Sequence, residues 1–295
     1  MRVTLKQIEV FVTVAREGTV LKAAERLSLT QSATSMALAD CERQLGRQLF
    51  DRVGRRLALN DTGMQLLPRA MDLLARAEEL EQIARQESGL IGRLRIGASL
   101  TIGNYLIPGL IGSFLAAHPE SQLSLEVGNT SHIIQEIEKF HVDVGFIEGF
   151  CHSADIEVLP WCEDELVVFA AAGHPLAKQA RINADDLGQA KWVLREHGSG
   201  TREIFDNAVL GKLPTIQLAL ELGHTEAIKR AVEAGMGLGC LSRISLQEAF
   251  ERGTLVELAT PFLDLRRQFY ILVHRQKYRT EGLQAFVRHC ENNKP

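Results

Sequence analysis

The sequence predicts an α/β protein in three parts: an all-α-dominated head over residues 1–60, a long linker helix over 61–88, and an α/β body over the remainder of its 295 residues. Three observations predict it. Short amphipathic helical patterns fill the first 45 residues, a seam of alternating leucine and alanine runs from Leu66 to Ala84, and strand-like and helix-like runs alternate from Leu94 onward. The length exceeds one ordinary core and suits two or three compact units.

Composition excludes several function classes. With 45% hydrophobic and 24% charged residues the chain reads as globular. No apolar run approaches the roughly 20 residues needed to span a bilayer, and MRVTLKQIEVF lacks the apolar centre of a signal peptide, so a cytoplasmic location and no membrane partner are expected. The five cysteines (Cys41, Cys151, Cys162, Cys240, Cys290) are odd in number and at no metal-finger spacing, which predicts reduced thiols and no metal. Residues 1–60 hold ten Lys/Arg against six Asp/Glu, net +4, and the overall charge of −4 leaves −8 on the rest. A basic head on an acidic body predicts that only the head touches a polyanion.

Thr4 to Arg16 is a helix with Leu5, Ile8, Phe11 (or Val12) and Ala15 at helical spacing, ended by Gly18. Thr19 caps a second helix that turns Val20, Ala23, Ala24 and Leu27 inward; the small alanines permit a close helix crossing. Ser28-Leu29-Thr30 forms a turn, and Thr30 caps a third helix running to about Leu45. Its exposed start is read as Gln31, Ser32, Thr34 and Ser35, with Ala33, Met36, Ala37 and Leu45 inward. Short hydroxyls and an amide at a helix N-terminus reach phosphates and base edges, so Thr30, Gln31, Ser32, Thr34 and Ser35 are candidate contacts to duplex DNA. The hairpin that follows, FDRVGRRL, turns at Gly54 and offers Arg52, Arg55 and Arg56 to phosphates or a narrow minor groove. An isolated Ser/Thr-rich helix or charge run would only solvate a surface; together, in this order, they point to DNA.

The stretch FVTVAREGTVLKAAERLSLTQSATSMALADCERQLGRQLFDRVGRRLALNDTG resembles the LysR-type transcriptional regulators over their winged helix-turn-helix. It departs at Ser32, where many members carry proline; at the first turn of a helix that exchange alters contacts rather than fold.

Asn60-Asp61-Thr62-Gly63 caps the long helix, read to about Gln86. Leu66, Ala70, Leu73, Ala77, Leu80 and Ala84 recur in steps of four and three, a heptad seam. Leu67, Met71 and Leu74 form a second stripe for packing on the head. The resemblance implies that the seam pairs antiparallel with a second subunit, giving a homodimer suited to an inverted repeat and then a dimer of dimers. RNA polymerase is a further partner in that picture, with nucleoid association when bound. Ser88-Gly89 and Gly92 mark a hinge.

In the body the expected strands are Leu94–Ala98, Leu123–Val127, Val142–Ile147, Leu166–Ala170, Trp192–Leu194, Ile216–Glu221, Leu238–Leu241, Leu255–Glu257 and Phe269–Val273, with helices between, which argues for parallel sheets covered by helices. The resemblance sharpens this to a two-lobed periplasmic-binding-protein-like effector domain, one lobe combining 93–166 with 268–295 and the other spanning 167–267. Ligand is then expected between the lobes, outside strand carboxyl ends. Three segments fit that place: Ser99, Thr101 and Asn104 after the first strand, Asn129, Thr130 and Ser131 after the second, and Gly200, Thr201 and Arg202 in the second lobe. Hydroxyls and free N–H groups at helix N-termini bind anions, although each motif alone reads as a plain cap. Glu148 and His224 also end strands there, as ligand groups or as structure; Glu148 would repel an anion unless paired with Arg202 or a histidine.

Within the family the body is similar to the YeiE-like subgroup, on Ser99–Tyr105, VDVGFIEG, EDELVVFAA, LREHGSGTRE and ELGHTEAIKRAVEAGMGLGCLSR. That subgroup's association with sulfite sensing implies a sulfur oxyanion as effector, with no other cofactor; sulfate or a small carboxylate fits the hydroxyls equally. The alternative is a thiol-based redox sensor using Cys151 and Cys162 across a loop, with His152 favouring a thiolate. No GxSxG, HExxH or Walker loop is present, so no catalytic residue and no enzyme is expected.

Overall fold

The computed structural model describes residues 3–53, 56–84, 93–179 and 181–294. Gly54, Arg55, Gln86, the Ser88-Gly89 and Gly92 hinge, and the side chains of Arg56 and Ala84 lie outside the described residues.

Three helices open the chain: α1 (Leu5–Glu17), α2 (Val20–Arg26) and α3 (Gln31–Leu45). Thr4 caps α1 by accepting from the Gln7 N–H while the Gln7 side chain accepts from the Thr4 N–H. Thr19 and Thr30 cap α2 and α3 through the N–H groups of Lys22 and Ala33. Gly18 and Gly46 end α1 and α3 in the left-handed conformation that glycine adopts without a Cβ clash. The hairpin is an antiparallel pair, β1 (Phe50–Val53) and β2 (Arg56–Leu59), followed by the 24-residue α4 (Asp61–Ala84).

The inward faces differ from the spacing argument in places. In α1 the buried residues are Val10, Phe11, Val12 and Val14, and Leu5 is exposed. On α4, Leu67 and Met71 enter the same apolar cluster as Phe11 and Phe50, with Leu74 beside them, but so does Ala70, one of the residues read as part of the outward seam. Leu73 and Leu80 remain exposed.

The body begins with β3 (Arg93–Ser99), α5 (Leu100–Tyr105), α6 (Ile107–Ala117), β4 (Gln122–Gly128), α7 (Thr130–Glu138), β5 (Val144–Glu148) and β6 (Ile156–Ala171). It continues through α8 (Ala184–Gln189), β7 (Lys191–Arg195), α9 (Gly200–Val209), β8 (Gln217–Leu222), α10 (Thr225–Glu233), β9 (Leu238–Ser242), α11 (Arg243–Glu251), β10 (Leu255–Glu257), β11 (Arg266–His274) and α12 (Glu281–Asn292). The strand order is β4-β3-β5-β11-β6-β9-β7-β8, with β10 also on β6.

β3 pairs parallel with β4 and β5, and β7 pairs parallel with β8 and β9. The expectation of parallel sheets fails in the middle, where β11 and β6 run antiparallel to each other and to β5 and β9. β6 also extends well upstream of the expected Leu166–Ala170. Its first part, IEVLPWCEDE, contains a proline and alternating charges and reads as loop, yet it lies along β11 from Ile156 to Glu165 before pairing with β9 from Leu166. The two long strands thereby carry the chain between two α/β halves.

Each half has its own cores. Ile96, Phe114, Phe146, Phe269 and Phe286 fill one face of the first half, and Ile133, Ile147 and Leu272 the other. Trp192, Leu194 and Phe205 fill one face of the second half, and Phe169, Ile228 and Leu246 the other. The head rests on the first half through Phe140, which adopts a left-handed φ of 57°, is 5% exposed, and joins the head's apolar cluster. Tyr278 adds a polar tie to α4: its N–H donates to Asp72, its hydroxyl to Glu79, and its ring lies under Arg76.

Candidate nucleic-acid interface and effector cleft

α3 presents Gln31, Ser32 and Ser35 to solvent. Thr34, expected beside them, is fully buried and donates its hydroxyl to the Thr30 carbonyl. Ala33 and Met36, expected inside, are exposed, as is Leu45. Leu38 and Cys41, one and two turns on from Thr34, show which face packs. The register of α3 is therefore rotated from the one its composition suggested, because Ala, Ser, Thr and Met give too little contrast to fix a face. Thr30 acts as the helix cap. Arg52 is exposed on the hairpin.

In the body, two helix N-termini meet where the halves touch. Ser99 ends β3 and precedes α5, but its hydroxyl caps no helix; it donates to the Glu148 carboxylate at the end of β5. Thr101 Oγ1 lies 3.4 Å from the other Glu148 oxygen. From the second half, Thr201 at the start of α9 receives a 2.9 Å bond from Arg267 Nη1, while Arg267 Nη2 donates to Thr101 over 3.4 Å. One guanidinium thus bridges both termini. Its Nε donates to Asp164 at 2.6 Å, Asp164 accepts from the Ser242 hydroxyl at 2.8 Å, and Nη1 is 4.0 Å from Glu148. All of these groups are buried.

A second seam lies alongside. Thr130 donates to the Glu148 carbonyl at 2.7 Å and accepts from the Gly200 N–H at 3.1 Å, and the Ser131 N–H donates to the Gly198 carbonyl at 3.0 Å. A Cβ on Gly200 would overlap the Glu148 carbonyl oxygen, so close backbone approach requires glycine here. Asn129 donates to Glu196, a carboxyl that burial would raise but that the bonds from Arg195 and Asn129 hold below its ordinary value. A cavity of about 530 Å³ opens beside the seam, lined by Thr130, Ser131, His152, His197, Ser199 and Arg202. The buried Ser199 hydroxyl has no hydrogen-bond partner among the described residues.

The structure gathers Ser99, Thr101, Thr130, Glu148, Gly200 and Thr201, with Asn129 and Ser131 at the edge. Three expected residues take no part in this buried network. Asn104 and His224 are exposed. Arg202 bonds Asp206, Glu221 and the Arg195 carbonyl, so it is not the partner of Glu148. That role falls to Ser99, Thr101 and Arg267. Sequence reasoning missed Arg267 although a signal existed: Arg267, Phe269, Ile271 and Val273 share one buried face of β11 by simple alternation.

The surroundings of the two cysteines disfavour a thiolate. Cys162 lies within β6, past the loop that holds Cys151, and burial, aided by Asp164, pushes its thiol up to about 11. Burial raises Cys151 as well. Burial thus disfavours the thiolate at both positions, which makes them poor nucleophiles.

Comparison with known proteins gives two family matches: "Bacterial regulatory helix-turn-helix protein, lysR family" over residues 5–64 and "LysR substrate binding domain" over 87–294. The chain is 47% identical over 291 residues to the HTH-type transcriptional regulator YeiE of Escherichia coli strain K12, covering 99% of this chain and 98% of that one. Among solved structures, a full-length OxyR variant from Pseudomonas aeruginosa has the same fold, with a TM-score of 0.75, 24% identity and coverage of 97% and 94%. The Synechocystis PCC6803 CcmR regulatory domain, solved with 2-PG, is 30% identical with a TM-score of 0.64, covering 69% of this chain and 99% of that one.

Proposed function

The chain belongs to the LysR family of bacterial transcriptional regulators, and from that premise we propose that it is switched by a small oxyanion, with sulfite first, held at the junction of its two α/β halves. It is a ligand-responsive, DNA-binding regulator and not an enzyme. The observation that carries the effector reading is Arg267, whose guanidinium bonds a hydroxyl from each half, Thr101 and Thr201. Planar guanidinium forks and helix N-termini are the groups that oxyanions select. A related regulatory domain solved in complex with 2-PG supports a small ligand for the body.

Glu148 now holds the donors an oxyanion needs. Binding therefore requires that carboxylate to leave the Ser99 and Thr101 hydroxyls, which ties ligand uptake to a change at the seam between the halves. Only a ligand that distinguishes the two arrangements shifts their balance. The change reaches the head through α4, which contacts the body at Asp72, Arg76 and Glu79. Exposed Leu73 and Leu80 support pairing of α4 with a second copy, and hence a dimer with two heads. Gln31, Ser32, Ser35 and Arg52 make the DNA contacts.

Binding of the full chain to its own upstream region tests this reading. Gel shifts are expected to show a salt-sensitive preference for that region over random DNA, altered by sulfite. Arg52→Ala should lower the salt slope by about one, whereas Gln31→Ala should relax base preference. Equal affinity for both DNAs would remove the regulatory reading; indifference to every small anion would remove the effector reading.

A further inference from the structure

We infer that Met36 reads a thymine methyl group in the major groove and is a sequence-determining residue of the head. The inference rests on the DNA-binding reading above and goes beyond it by naming a base feature. Thr34, Leu38 and Cys41 mark the packed side of α3. At about 100° per residue, Met36 lies about 200° from Thr34, near the middle of the opposite face. Ser32 is one turn before it on that face and Arg43 two turns after, both exposed. Met36 itself is 65% exposed and takes no part in the head's apolar cluster, which closes without it.

A single exposed apolar residue is ordinary on most surfaces. This one sits at the centre of the face that a helix-turn-helix protein lays in the major groove. Ser32 and Ser35 flank it with short hydroxyls that bond either a donor or an acceptor on a base, so they discriminate weakly. Thymine's C5-methyl is the apolar group that the major groove displays, and a flexible thioether chain fits against it without a fixed rotamer. Methionine has no donor with which to hold a phosphate, so its contact is with a base methyl rather than the backbone.

The test uses the full chain and a duplex from its own upstream region, with the protected segment found by footprinting. Single thymines in that segment are replaced by deoxyuridine, which deletes the methyl and leaves base pairing intact. At one or more positions the wild type should bind about four-fold more weakly, the order expected for one methyl left in water. Met36→Ala should bind the thymine and uracil duplexes alike, with an unchanged melting temperature and salt slope, and Met36→Leu should retain the preference. The inference is overturned if no uracil position weakens the wild type, or if Met36→Ala keeps the thymine preference. Failure of the wild type to prefer the fragment over random DNA overturns the DNA-binding reading as well, which separates the two failures.

Discussion

The polar groups of the head and of the cleft are of the same kinds but in opposite states. On α3, Gln31, Ser32 and Ser35 face solvent with their bonding capacity open. In the cleft, Ser99, Thr101, Thr130 and Thr201 are buried, and each hydroxyl already bonds Glu148 or Arg267. An open polar face accepts a partner without rearrangement and suits a rigid, preformed interface. A closed network must exchange existing bonds for new ones, which suits a switch. The same residue types serve as surface in one place and as a lock in the other.

The largest way to break that contrast is to remove the lock's central charge. Arg267→Met leaves Asp164 buried without its guanidinium and should destabilise the chain by about 3–5 kcal/mol, measured by urea unfolding. Adding Asp164→Asn should restore part of the loss. If the single variant is as stable as the wild type, the cleft is not the closed network described. Next in size, Gly200→Ala drives a methyl into the Glu148 carbonyl and should cost about 1–3 kcal/mol through overpacking. It should also raise hydrogen exchange at the backbone N–H of position 200, since its bond to Thr130 spans the seam.

How far these features were legible in the sequence follows from physical contrast. Caps announced themselves: Thr4, Thr19 and Thr30 each precede a helix and each accepts the N–H three residues on. The face of α3 did not, because its small and mixed side chains barely separate inside from outside, and so its composition points Thr34 toward DNA and Met36 toward the core. In the cleft the hydroxyls were visible as helix starts, but their partner was not. Alternation along β11 marks Arg267 as inward-facing, but its pairing with Thr101 and Thr201, 166 and 66 residues away, is beyond the reach of local pattern. The first part of β6 was hidden for a related reason. Pro160 and the charges of EDE argue against a strand locally, and only pairing with β11 along its length makes it one.

Two smaller effects sharpen the contrast at the level of single groups. Thr34→Val removes a buried hydroxyl from inside the head and should change stability by about 1 kcal/mol while leaving the affinity of folded protein for DNA unchanged, as read by anisotropy. Ser35→Ala should do the reverse. A loss of DNA affinity in folded Thr34→Val would place that residue back at the interface. For Cys162, iodoacetamide labelling of the native protein should be slow at neutral pH and accelerate as pH climbs toward about 11, where the thiol ionises. Fast labelling at neutral pH would revive the redox alternative.

The central claim, that Arg267 and the two threonines it bridges hold an oxyanion effector, is tested most directly by thermal stabilisation with sulfite in the wild type and in Thr201→Val. At 100 times its dissociation constant sulfite should add about 2.7 kcal/mol to the wild type and little to the variant, which lacks the hydroxyl from the second half. Equal stabilisation of both proteins, or of neither, would contradict it.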